Sequence, residues 1–84
     1  MFEPEEIKRL IEVALPGATA RVVDDAGDKE HFFAEVAAPQ FVGKSLVGQH
    51  QLVYRALGAR VGNEIHALQL KTFTPEQWAR KEGQ

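Results

Sequence analysis

The chain has no cysteine among its 84 residues. It therefore offers no disulfide, no thiolate nucleophile and no thiolate metal ligand of its own. Its single serine, Ser45, stands outside any G-x-S-x-G elbow, which removes support for a Ser-His-Asp hydrolase. No apolar run approaches the roughly 20 residues that span a bilayer. The start, Met1-Phe2-Glu3-Pro4-Glu5-Glu6, is acidic where a secretory leader would be basic. A cytoplasmic protein with no membrane partner is expected. Positive charge is also scarce, with 10 Lys and Arg against 12 Asp and Glu for a net charge of −2. Sequence-independent affinity for nucleic acid needs concentrated cationic charge facing phosphates, which this composition does not supply in bulk.

What is present is ordinary globular material: 44% hydrophobic and 26% charged residues. A chain of this size buries only about 60–65% of the surface its unfolded form exposes, enough for one core. A single domain over residues 1–84 is expected. Ile7, Leu10, Ile11, Ala14 and Leu15 recur at helical spacing, with Pro4 suited to the first turn and Pro16-Gly17 ending the element. Residues 18–24 alternate as a short strand. Asp24 to Glu30 has turn chemistry, and His31 to Ala38 reads as a second strand with Phe32, Ala34 and Val36 on one face. Pro39 breaks it. Ser45 is a plausible N-cap for a second helix with the apolar stripe Leu46, Val47, Val53, Tyr54 and Leu57, closed by Gly58. Ile65 to Phe73 reads as a third strand. Thr74-Pro75-Glu76-Gln77 then fits a capping box that starts a last short helix through Trp78. The order αββα(α)βα predicts an α+β fold, a three-stranded sheet with helices packed on one face.

Several motifs invite sharper readings. Gly43-Lys44-Ser45 resembles the end of a phosphate loop, but the leading glycine of that motif is replaced by Ala38, and Pro39 has no N–H to donate. A helix-entry turn accounts for it better. The acids Asp24, Asp25, Asp28 and Glu30 do not follow the calcium-loop spacing and read as a solvated loop. His50 lies among apolar helix residues and reads as a packed or boundary histidine. His31 and His66 open strands, where a side chain is both positioned and reachable. None of the three shares a local ligand spacing such as H-x-x-x-H. Trp78 reads as a hydrophobic clamp for the last helix.

Three segments together carry a family resemblance. They are Ile65-His66-Ala67-Leu68-Gln69-Leu70-Lys71-Thr72-Phe73-Thr74-Pro75-Glu76-Gln77-Trp78, Phe41-x-Gly43-Lys44-Ser45 followed by His50-Gln51-x-Val53-Tyr54-x-x-Leu57, and Gly27-x-x-x-His31-Phe32. In that order they resemble the BolA family over nearly the whole chain. The resemblance implies a fold similar to a class II KH domain. It also implies a non-enzymatic partner of monothiol glutaredoxins that shares a bridging 2Fe-2S cluster, with roles in iron-sulfur trafficking or iron and redox regulation. In that family the histidine opening the third strand is the shared ligand, here His66, and a second ligand comes from the loop between the first two strands, where His31 is the nearby histidine. With no thiolate in this chain, cysteine and glutathione sulfur would come from the partner. Some bacterial members are described as transcriptional regulators, which makes DNA a second partner class, tied to stress responses. A KH domain clamps its ligand with a G-x-x-G loop, and no two glycines here have that spacing. The free chain is expected as a monomer or weak homodimer.

Overall fold

A computed structural model describes residues 2–63, 65 and 67–83. Helix α1 (Pro4–Ala14) has Pro4 in its first turn, with Glu5 and Glu6 at the positive end of the helix dipole. Most of the predicted stripe forms, with Ile7 and Ile11 fully buried, Leu15 nearly so and Leu10 partly buried, while Ala14 at its edge is exposed. Glu12 ties the helix to the sheet by accepting from Lys8 Nζ at 2.7 Å and from the Ala20 amide at 2.9 Å. The hydrogen bond from Lys8 is the main cause holding the Glu12 carboxyl below its ordinary range.

Strands β1 (Thr19–Asp24) and β2 (His31–Ala37) form the expected hairpin, antiparallel from Thr19 opposite Ala37 to Asp24 opposite Phe32. Strand β3 (Ala67–Phe73) lies on the other side of β2 and runs parallel to it, from His31 opposite Ala67 to Ala37 opposite Phe73. Parallel neighbours require a long crossover, and helix α2 (Leu46–Leu57) supplies it. The described part of the third strand thus begins at Ala67, two residues later than the alternation suggests. His66 lies outside the described residues.

Ser45 caps α2, its Oγ accepting from the Gly48 amide at 3.1 Å. The buried face of α2 differs from the expected stripe. Gln49, Val53 and Leu57 face inward, while Leu46 and Val47 are 63% and 67% exposed and Tyr54 is also exposed. The cause is polar. Gln49 accepts from Thr72 Oγ1 at 2.6 Å and donates to the carbonyls of Phe41 and Lys44, both at 3.2 Å. This links α2 to β3 and to the turn that precedes α2. A glutamine so paired can be buried, and its position fixes the helix's rotation.

The core gathers between the sheet and the two long helices, with Phe32, Phe41, Ile7, Ile11, Leu57, Ile65, Val36 and Val53 as its largest fully buried side chains. Each such burial contributes about 1.5–3 kcal/mol. Helix α3 (Pro75–Glu82) opens on the predicted capping box, the Thr74 side chain accepting from the Gln77 amide and the Gln77 side chain from the Thr74 amide. It runs past Trp78 to Glu82. While α1 and α2 cover the apolar face of the sheet, α3 touches side chains of the opposite face. Trp78 meets Phe73 edge-on at 5.3 Å, Arg21 stacks 5.1 Å from the Trp78 ring centroid, and Lys81 pairs with Glu35 at 3.5 Å. Among the described residues no helix is long and apolar enough to cross a membrane.

Candidate functional site

The parallel register brings the starts of β2 and β3 side by side. His31, the first residue of β2, has Ala67 as its partner, and the Ala67 amide donates to the Glu30 carbonyl at 2.9 Å. His66 precedes Ala67 in the chain and lies outside the described residues. Its neighbours Ile65, fully buried, and Ala67 are both described.

The hairpin loop that leads into His31 is closed by its own hydrogen bonds. Asp25 donates its amide to the His31 carbonyl at 3.0 Å, and the Asp24 side chain accepts from the Lys29 amide at 3.0 Å. Lys29 adopts a positive φ of 59°, a conformation uncommon for a residue with a Cβ. Its ammonium group is anchored to Glu3 at 2.7 Å, which raises its pKa. Gly27, with φ of 72°, supplies the other left-handed turn position at ordinary glycine cost.

Asp28 organises the end of this loop. Its Oδ1 accepts from the amides of Glu30 at 2.9 Å and His31 at 3.0 Å. Its Oδ2 lies 2.7 Å from His31 Nδ1. The Glu30 amide, then the His31 ring and amide, hold the Asp28 carboxyl down at about 2, so it is a carboxylate at neutral pH. A carboxylate only accepts, so Nδ1 of His31 donates. The sequence placed Asp28 among solvated loop acids. The signal that distinguishes it is its place three residues before a strand-opening histidine, where an Asp side chain can cap the turn and reach the ring.

Among the described residues no three His, Cys, Asp or Glu side chains converge as a metal cage. One imidazole backed by a carboxylate suits a single ligand position, as in the carboxylate–histidine–metal arrangements of other metal sites. That donor set fits a cluster whose remaining ligands are supplied by another molecule. The other sequence candidates fall into structural roles. His50 is half-buried on α2, and its Nε2 is buried without a hydrogen-bond partner among the described residues. The Lys44 amide donates to the Phe41 carbonyl at 3.1 Å, so the Gly43-Lys44-Ser45 segment is a helix-entry turn whose N–H groups are partly committed.

Known proteins match this sequence and fold. The family model for the BolA-like protein matches residues 10–77. The acid stress protein IbaG of Escherichia coli is 35% identical over 80 residues, covering 94% of this chain and 92% of that protein. The DNA-binding transcriptional regulator BolA of the same organism is 27% identical over 85 residues, covering 93% of this chain and 81% of that protein. The solved structure of a BolA homologue from Coxiella burnetii superposes with a TM-score of 0.81 at 40% identity, covering 95% of this chain and all of that one.

Proposed function

This chain belongs to the BolA-like protein family, and on that premise we propose that it is a non-enzymatic partner of a monothiol glutaredoxin that co-ligates a bridging 2Fe-2S cluster in the cytoplasm. The observation that carries the reading is His31, held by Asp28 at the start of β2 beside the start of β3, in a chain with no thiolate. His66 is the family's shared ligand and His31 the loop-side ligand. Cysteine and glutathione sulfur come from the partner. Replacing thiolate by imidazole raises a cluster's potential and exposes its ligation to competition from protons. A mixed site of this kind suits transfer or sensing. The test is to combine the chain with a monothiol glutaredoxin, ferrous iron, sulfide and glutathione. The reading predicts visible absorption and circular dichroism unlike those of the glutaredoxin-bound cluster alone. A mixture whose spectrum equals the sum of its separate parts contradicts it.

A second reading is DNA binding, favoured by the name of the E. coli regulator. Lys44, Arg55 and Lys71 are exposed and outside the ion pairs among the described residues. Against it stands the net charge of −2. Binding is expected to be weak and steeply salt-dependent. Anisotropy titrations showing sub-micromolar, sequence-selective binding near physiological salt would make this reading the primary one.

A further inference from the structure

The Asp28–His31 contact goes further than naming a ligand, because it selects which ring nitrogen carries the lone pair. We propose that Asp28 is a positioning residue that holds His31 as the Nδ1–H tautomer, so that Nε2 is the nitrogen that coordinates iron. The inference rests on the cluster-ligand reading above and deepens it. A free neutral imidazole favours the proton on Nε2, which would leave Nδ1 as the donor atom. Here Nδ1 sits 2.7 Å from Asp28 Oδ2. Meanwhile Oδ1 of the same carboxylate is committed to the amides of Glu30 and His31 at 2.9 and 3.0 Å. The carboxylate therefore cannot swing away without breaking the turn that begins β2. Asp28 thus contacts both the ring and the backbone of His31, and toward the ring its carboxylate can only accept the Nδ1 proton.

Geometry also supplies a variant that separates these roles. Asp28→Asn keeps an Oδ1 to accept from the Glu30 and His31 amides, so the loop cap survives. Its second side-chain atom becomes an NH2 group facing Nδ1, and that group donates. The tautomer must then invert, with the proton moving to Nε2 and the lone pair to Nδ1. Asp28→Ala removes the cap and the ring contact together.

The experiment reads the apo chain first. Long-range proton–nitrogen correlation spectra of the neutral His31 ring should show a pyrrole-type Nδ1 and a pyridine-type Nε2 in the wild type, and the reverse in Asp28→Asn. The amide spectrum elsewhere should be unchanged. The reconstituted glutaredoxin mixture is read second, where Asp28→Asn should lower cluster retention about 10-fold, the low end for loss of an outer partner of a metal-ligating histidine. An unchanged nitrogen pattern in Asp28→Asn overturns the proposal. So does an inverted tautomer with wild-type cluster retention. His31→Ala tests the underlying reading separately: if that variant keeps the wild-type cluster spectrum, His31 is not a ligand, whatever the nitrogen pattern of the apo chain.

Discussion

The two faces of the sheet are held by different physics. On one face Phe32, Ala34 and Val36 share one core cluster, closed to solvent, with Ile7, Ile11, Val53 and Leu57. On the other, α3 has no buried residue and is kept in place by rings and charges: Phe73 with Trp78, Arg21 and Lys81 over Trp78, and Arg21 with Glu82 at 2.6 Å. Apolar burial resists salt and scales with area, whereas exposed ion pairs contribute about 0–1 kcal/mol each and weaken as salt rises. Stability is therefore concentrated on the helix-covered face. His31 opens β2 at the edge of the outer face, exposed and in line with Phe33 and Glu35, and substitutions there should change binding chemistry with little loss of fold.

Opening the apolar face should have the largest effect. Phe32→Ala should cost about 3–5 kcal/mol, a large part of the stability of so small a domain. A denaturant melt should show a partly unfolded population in water, and a loss below about 1 kcal/mol would contradict the placement of the core. Next comes the one polar link within that face. Gln49→Ala takes the side-chain partner from the Thr72 hydroxyl and the Lys44 carbonyl and leaves the Phe41 carbonyl with only the Lys44 amide, and should cost about 1–3 kcal/mol by chemical denaturation.

The outer face should give a smaller and more local response. Trp78→Ala removes an aromatic pair and two cation–π contacts, together about 1–2 kcal/mol. Hydrogen exchange should quicken in α3 while the amides of β2 keep their protection. Equal acceleration in both would merge the two faces into one cooperative unit.

Much of this was legible from residue order, and the failures have identifiable causes. The α1 stripe and the Thr74–Gln77 box depend on contacts within four residues, which spacing encodes directly. The rotation of α2 depends on Gln49 meeting Thr72, 23 residues away, so periodicity turned Leu46, Val47 and Tyr54 inward when they face out. The parallel pairing of β2 with β3 is equally non-local, since nothing in either strand alone specifies its neighbour's direction. His31 was recognisable as a strand opener. Its bond to Asp28 was not, because four loop acids look alike until the turn fixes which one faces the ring.

The smallest stability effect is expected at that loop. The Asp28 carboxyl is depressed to about 2 in the folded chain, chiefly by the Glu30 amide. Its contribution should be complete above the ordinary aspartate value of about 3.9 and vanish as pH falls through about 2. Unfolding curves of wild type and Asp28→Ala should therefore converge as pH drops across that window. Curves that stay parallel down to the lower limit would show that Asp28 is not held as the geometry indicates.

On the proposed function, cluster chemistry resides at the strand starts and is separable from the fold. Its most direct test is His66→Ala, measured as a melt of the chain alone and as visible circular dichroism of the mixture with monothiol glutaredoxin, iron, sulfide and glutathione. A melt close to wild type and loss of the mixed-cluster spectrum are expected, leaving only weak docking of the apo proteins. A variant that keeps the wild-type spectrum and affinity would contradict it.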